Sequence, residues 1–189
     1  MPITRNIEIP DALRDAATLN KLMFVKLMPL LIAAYVLSFL DRTNIALAKH
    51  QLDIDLGISA AAYGLGAGLF FLTYALSEVP SNLIMHKVGA RFWIARIMVT
   101  WGLISAAMAF VQGETSFYVL RLLLGIAEAG LFPGVMLYLT YWFGREQRAR
   151  ATGYFLLGVC FANIIGGPLG AALMQLDGVW GWRGWQWMF

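Results

Sequence analysis

Five charged side chains stand inside long apolar stretches of the sequence. A charge within a membrane-spanning segment costs about 2.5–3.5 kcal/mol on insertion scales, and by default it marks a functional site. A carboxylate in such a place can take up and release a proton, and a guanidinium can bind an anion. The sequence therefore predicts a polar site inside an apolar bundle, formed from Asp41, Arg42, Glu78, Arg121 and Glu128.

Arg121 and Glu128 are seven residues apart, with Gly125 between them. On a helix this spacing puts both charges on one face, about 10 Å apart along the axis. One interpretation is a structural ion pair that stabilises the bundle. The other is a coupling site, in which an arginine that moves onto a substrate anion allows the neighbouring carboxylate to take up a proton.

Asp41 and Arg42 lie within a short polar run that interrupts the first apolar stretch. If the first helix ends there, the pair lies at the membrane interface. If the helix continues to Lys49, the pair lies near the middle of the membrane, and the sequence leaves both alternatives open. Glu78 is near the end of the second stretch, where water is closer, so a gate or salt-bridge residue is favoured over a substrate ligand.

The composition is typical of a chain that resides in a membrane. Of 189 residues, 60% are hydrophobic and 13% are charged, against about 25% charged in ordinary soluble domains. This excludes a water-soluble globule and a disordered chain. Five apolar stretches are each long enough to cross a hydrocarbon core of about 30 Å as a helix. They cover residues 27–48, 60–85, 92–111, 117–143 and 151–174.

The basic residues predict the orientation. Lysine and arginine concentrate before the first stretch, between the second and third, and between the fourth and fifth. The positive-inside rule then places the N-terminus in the cytoplasm and the end of the chain on the far side. We expect a cytoplasmic segment 1–26 with an amphipathic helix, transmembrane helices over 27–174, and an extracytoplasmic aromatic segment 175–189. Because such a segment is typical of a chain entering another crossing, we expect a fragment that lacks its sixth helix.

Several classes of function lack their sequence signatures. There is no nucleophile-elbow, zinc-protease or phosphate-loop motif, so an enzyme is not expected. The two histidines and the single cysteine have no ligand spacing, which predicts no metal site and no cofactor. The basic residues flank apolar stretches and form no stripe, so nucleic acid is not an expected partner.

Four segments of the sequence together resemble a known protein family, and the resemblance as a whole covers residues 24–189. They are the run 40–46 (Leu-Asp-Arg-Thr-Asn-Ile-Ala), the pattern from Arg121 through Gly125 and Glu128 to Pro133, the segment 78–93, and the terminal segment 182–187. Together they resemble the anion:cation symporters of the major facilitator superfamily, and most of all the bacterial tartrate-type carriers. In order, the four segments are similar to that family's first helix, fourth helix, loop between helices two and three, and entry to helix six.

The resemblance implies roles for the matching residues. In the family an arginine binds the substrate carboxylate, and buried carboxylates carry the proton. The implied substrate-binding residues are Arg42, Tyr74 and Asn163, and the implied proton-coupling residues are Asp41, Glu128 and their partner Arg121.

The loop after the second helix departs from the superfamily pattern, which has Asp-Arg before x-Gly-x-Arg. His86 and Lys87 stand in that place here, so the acid that bonds to neighbouring helices is absent. The implied gating loop comprises Glu78, His86, Lys87, Gly89 and Arg91.

The resemblance also implies an all-α membrane fold of twelve helices in two six-helix halves, of which this chain supplies five from the N-terminal half. The implied function is proton-coupled symport of a small organic anion, a tartrate-like hydroxy acid or a sugar acid, by a multi-pass protein of the inner (plasma) membrane. Its partners are the anion, the proton, the lipid bilayer and the C-terminal half of the same transporter. A drug/proton antiporter is the first alternative, because segment 166–170 resembles the antiporter Gly-Pro motif. A truncated membrane interaction protein and an integral-membrane enzyme are the others.

Overall fold

The computed structural model describes the chain from residue 11 to residue 189. The predicted cytoplasmic segment 1–26 therefore lies in part outside the described residues. Within residues 11–189 the fold is helical throughout, with two short 3-10 segments and no strand. The helices are α1 (Asp11–Leu56), α2 (Ala60–Val88), α3 (Ala90–Met108), α4 (Glu114–Glu128), α5 (Leu131–Trp142) and α6 (Arg145–Met174), and the 3-10 segments are Val179–Gly181 and Gly184–Met188.

The helices have the dimensions and surface of a membrane bundle. Helix α3 has 19 residues and is about 29 Å long, close to the hydrocarbon thickness of about 30 Å. Large apolar side chains are exposed on the outside, among them Leu76, Val99 and Ile164. A bundle surrounded by lipid requires such an exterior, so the predicted all-α membrane fold is confirmed. Among the described residues, four segments have both the length and the composition of a membrane span: Phe24–Leu56, Ala60–Val88, Glu114–Trp142 and Arg145–Met174. Helix α3 is not one of them.

Helix α1 runs without interruption through the polar run that contains Asp41 and Arg42. It has 46 residues, so the alternative in which the first helix ends at this pair is wrong. The polar side chains have partners inside the bundle, as when Asn44 Nδ2 donates to the Met188 carbonyl at 2.6 Å. Because the helical backbone satisfies its own hydrogen bonds, such side chains do not end the helix.

The predicted fourth span, 117–143, is divided into two helices. Helix α4 ends at Glu128, and α5 begins after Gly130, whose φ of 88° lies in the left-handed region that favours glycine. A Cβ at Gly130 would also collide with the hydroxyl of Ser81. A single helix over this stretch was therefore the wrong expectation, because hydropathy does not register a backbone break.

Ser81 of α2 joins three elements at this break. Its hydroxyl donates to the Ala129 carbonyl at 2.8 Å and accepts from Trp93 Nε1 at 2.9 Å. We expect Ser81→Ala to lower the free energy of unfolding by about 1 kcal/mol, because both partners lose a hydrogen bond in an apolar interior. Thermal unfolding of the protein in detergent measures the loss. The control is Ser77→Ala, one turn earlier on α2 and outside this network, and equal losses from the two variants would contradict the assignment.

Apolar clusters fill both ends of the bundle, and the charged residues lie between them. The cluster at one end includes Met28 and Met85, and the cluster at the other includes Leu52 and Phe117. Helices α1, α2, α3 and α4 each contribute to the middle level between these clusters. Its apolar members are Phe70, Trp101, Leu124 and Ala127.

The aromatic segment 175–189 packs back onto the end of α1. Trp185 is 1% exposed and donates Nε1 to the Asp55 carboxylate at 3.0 Å. Arg183 forms a salt bridge of 2.6 Å with the same carboxylate. The segment therefore closes one end of the bundle, and its location outside the cytoplasm stays a prediction.

Candidate functional site

An ion pair between α1 and α4 is the centre of the candidate site. Arg42 Nη2 lies 2.8 Å from Glu128 Oε1. Ser38, one turn before Arg42, donates its hydroxyl to the same carboxylate oxygen. The Glu128 side chain is 1% exposed, whereas that of Arg42 is 28% exposed. The carboxylate is therefore enclosed, and part of the guanidinium faces open space.

Three aromatic rings surround the guanidinium of Arg42. Its Cζ lies 5.3 Å from the ring centroid of Phe39, 5.5 Å from that of Phe70 and 5.2 Å from that of Tyr74. The negative faces of such rings stabilise a cation without occupying its hydrogen-bond donors. Among the described residues, Arg42 Nε has no hydrogen-bond partner. This nitrogen is buried, so the part of the arginine that an anion can reach is the exposed part of the guanidinium.

Asp41 is held separately, by helix α3. It is buried, with the Ser105 hydroxyl donating to one carboxylate oxygen and Trp101 Nε1 donating to the other at 3.4 Å. Consecutive helical residues point about 100° apart, which is why Asp41 and its neighbour Arg42 contact different helices. The two carboxylates of the site thus differ: Glu128 has a cationic partner, and Asp41 has neutral donors.

Arg121 is buried against the same aromatic ring as Arg42. Its Cζ lies 4.5 Å from the centroid of Phe70, and the residue is 4% exposed. Glu128 pairs with Arg42, so the direct Arg121–Glu128 ion pair considered from their spacing is not formed. The site therefore contains a second buried cation that has no salt bridge to any side chain the structure describes.

The backbones of α2 and α4 are in direct contact at Gly125. A Cβ there would overlap the Phe70 carbonyl oxygen and the Thr73 hydroxyl, and it would lie 3.1 Å from Tyr74 N. The Thr73 hydroxyl also donates to the Leu122 carbonyl of α4 at 3.1 Å. The glycine between the two charges of α4 therefore sets how closely they approach the aromatic residues of α2.

Of the remaining predicted ligands, the structure brings one to the centre of the site. Tyr74 lies against Arg42. Asn163 is exposed on α6 and makes no hydrogen bond to the described residues of the ion-pair cluster. Its role as a ligand stays a prediction.

The predicted gating loop is a tight turn between α2 and α3. Gly89 alone connects the two helices, at a φ of 92° that favours glycine. Glu78 is half-buried one turn beyond Tyr74. The other members are exposed and form no ion pair with the part of the chain that is described: His86, Lys87 and Arg91.

Four contributors to the site were not anticipated from the sequence. Ser38 is one turn before Arg42, so the four-residue spacing could have identified it. Trp101 and Ser105 also share this spacing, but no charged residue on α3 drew attention to that face. Phe70 carries no signal in a stretch that is apolar on all sides.

Apolar helices that enclose charged side chains at mid-height are typical of integral-membrane transporters. Residues 31–189 match the family model of the Major Facilitator Superfamily. The chain therefore belongs to this superfamily, as the sequence motifs predicted. Its matching relatives are transporters, which confirms that the chain is not an enzyme.

The relatives that match this chain are longer than it is. A protein of Agrobacterium vitis named "Putative tartrate transporter" is 51% identical over 175 residues, which are 93% of this chain and 39% of that protein. A "Quinolone resistance transporter" of Acinetobacter baumannii is 50% identical over 164 residues, which are 87% of this chain and 38% of that protein. The chain thus spans about two fifths of the length of these relatives.

A solved structure has the same fold. The crystal structure of a bacterial homologue of the human lysosomal transporter Spinster, in an inward-facing and occupied conformation, matches with a TM-score of 0.80 at 22% identity. The match covers 85% of this chain and 39% of that one. At this identity the likeness concerns the fold alone.

Proposed function

We propose that this chain is part of a proton-coupled symporter that imports a small organic anion, a hydroxy acid of the tartrate type or a sugar acid, by alternating access. The observation that carries the proposal is the Arg42–Glu128 pair, because a substrate carboxylate and a buried protein carboxylate would compete for one guanidinium. A C-terminal half of the same transporter would supply the other wall of the cavity.

Substrate binding would use the two arginines that lie against Phe70. Arg42 is partly exposed, so it would make the first contact with a substrate carboxylate. Arg121 adds a second positive charge nearby, which favours an anion with further oxygen atoms. Tyr74 would add a hydroxyl from α2, and Asn163 an amide from α6.

Proton coupling would follow when the Arg42 guanidinium leaves Glu128 and binds the substrate carboxylate. Glu128 would then be an enclosed carboxylate without its cation, which is unfavourable in an apolar interior unless it binds a proton. Ser38 would keep the protonated group in place. A proton that enters with a monoanion cancels its charge, and so removes the cost of about 2.3 kcal/mol per charge per 100 mV of opposing potential. Asp41, held by neutral donors, would be a second proton site.

The proposed orientation has the N-terminus in the cytoplasm of an inner-membrane protein. Lys26 precedes Met28, and Lys87 follows Met85, and both methionines belong to one end cluster. Arg145, at the start of α6, lies beside Phe143 of that cluster. Basic residues thus gather at one end of the bundle, which the positive-inside rule assigns to the cytoplasm.

Uptake into liposomes tests this function in the full-length transporter. With an alkaline interior, we expect accumulation of labelled tartrate or a related acid that a protonophore abolishes. Glu128→Gln imitates the protonated residue, so the variant should still exchange labelled for unlabelled substrate. Its gradient-driven accumulation of substrate should fall at least about tenfold. The matched control is Glu114→Gln, at the exposed start of the same helix.

Two results would contradict the proposal. Failure of every hydroxy acid and sugar acid to accumulate would exclude the substrate class. Accumulation by Glu128→Gln at the level of Glu114→Gln would remove Glu128 from proton coupling while leaving the substrate class intact.

A drug/proton antiporter is the second candidate, because a relative that is 50% identical is named "Quinolone resistance transporter". The two functions differ in direction relative to the proton. The same inward proton gradient would load an organic acid in symport, and it would expel a drug from the liposomes in antiport.

A further inference from the structure

A cavity lies at the end of the bundle where α1 meets the turn between α5 and α6. It has a volume of about 320 Å³ and shares no lining residue with the ion-pair site. The lining combines exposed cations with aromatic rings. Its principal members are Lys21, Phe24, Phe143, Gln147, Arg150 and Tyr154.

The floor of this cavity is aromatic. The ring of Phe24 stands edge-on to Phe143 at a centroid distance of 5.8 Å and to Tyr154 at 5.7 Å. Phe143 is buried, whereas Tyr154 is exposed, as is the neighbouring apolar Val25. The apolar floor is therefore continuous with the outer surface of the bundle, where a hydrocarbon chain can pack.

The rim of the cavity is cationic. Lys21 and Arg150 are exposed, and neither forms a salt bridge with any side chain described in the structure. Glu146 lines an adjoining hollow together with Arg150. Among the side chains that the structure describes there, two cations and one carboxylate leave a net charge of +1 around the opening, which matches the single negative charge of a phosphodiester.

The cavity lies at the depth of a membrane–water boundary. Lys21 lies six residues before the apolar stretch that begins at residue 27, a rise of about 9 Å along the helix. Arg150 and Tyr154 belong to the first three turns of α6. Cationic and tyrosine side chains at this depth are typical contacts of lipid headgroups.

We propose that this cavity binds the headgroup of an anionic phospholipid. Lys21 and Arg150 hold the phosphodiester, Gln147 hydrogen-bonds the polar end of the headgroup, and an acyl chain follows Val25 and Tyr154. The apolar floor favours a lipid over a free inorganic anion, which has no apolar part to bury. The bound lipid ties the start of α1 to α6.

Lipid binding to the delipidated full-length transporter in detergent tests this site. The probes are phosphatidylglycerol, phosphatidylcholine and inorganic phosphate, and native mass spectrometry counts the lipid bound. We expect phosphatidylglycerol to bind and to raise the unfolding temperature, and the double variant Lys21→Gln/Arg150→Gln to weaken binding at least tenfold. The control is Lys26→Gln/Arg148→Gln, which removes the same charge from the same two helices outside the cavity.

Each alternative to the proposed lipid site predicts a different result in this binding experiment. Equal binding by the two double variants would overturn the site, and equal binding of phosphatidylcholine would overturn the role of charge. Protection by inorganic phosphate alone would identify a free anion as the occupant and exclude the lipid. A double variant that fails to fold is replaced by the single variants Lys21→Gln and Arg150→Gln, each of which should weaken binding. None of these outcomes depends on the transported substrate.

Discussion

Arg42→Ala is expected to abolish organic-anion transport by the full-length protein, both as gradient-driven uptake and as exchange. The substitution removes the guanidinium that lies 2.8 Å from Glu128 and that would bind the substrate carboxylate. A charge-assisted hydrogen bond of this kind contributes about 1.5–3 kcal/mol, so the loss is about 10-fold to 150-fold for each such bond. Because the guanidinium would make two bonds to a carboxylate, uptake should fall to background in a liposome assay.

Folding must be separated from function in this variant, because alanine also leaves Glu128 buried without its cation. Arg42→Lys keeps a positive charge near the carboxylate but loses the planar fork that binds a carboxylate through two donors. It should therefore elute as a folded monodisperse protein and show an increase in KM of at least about tenfold. The matched control is Arg145→Ala, at the exposed start of α6. Normal exchange by Arg42→Ala would show that the anion binds elsewhere.

The spans were predictable because their signal is the summed hydropathy of about twenty residues. Local backbone features have no such signal. The break after Glu128 depends on a left-handed Gly130 and on the hydroxyl of Ser81, which comes from another helix. The continuity of α1 past Arg42 depends likewise on polar partners that only the folded bundle supplies. Tertiary contacts, not local composition, decide where these helices end.

The charged members of the site were predictable because charge in an apolar stretch is costly and therefore conspicuous. Their pairing was not, because sequence spacing reports neighbours on one helix only. Glu128 shares a face with Arg121, and yet its partner is Arg42 on another helix. Ser105 and Trp101 contact Asp41 for the same reason, since α3 is packed against the site by the fold and not by proximity in the sequence.

Gly125→Ala should destabilise the bundle at the contact between α2 and α4. The added methyl group would overlap the Phe70 carbonyl oxygen and the Thr73 hydroxyl and lie 3.1 Å from Tyr74 N. Two of these three atoms are backbone atoms, so no change of rotamer relieves the overlap, and α4 must move away from α2. Overpacking of this kind costs about 1–3 kcal/mol, which should appear as a lower unfolding temperature of the full-length protein in detergent.

The same movement should impair the site, because α4 carries Glu128 and Arg121 on the face that contains Gly125. Transport should therefore fall even at temperatures where Gly125→Ala is folded. Gly68→Ala and Gly102→Ala are the controls, since a Cβ at either position meets no atom within 4 Å. Alanine has the higher helix propensity, by about 1 kcal/mol, so both controls should unfold at or above the temperature of the parent. If Gly125→Ala unfolds at the same temperature as these controls, the close approach of α2 and α4 is wrong, and with it the geometry that places both arginines against Phe70.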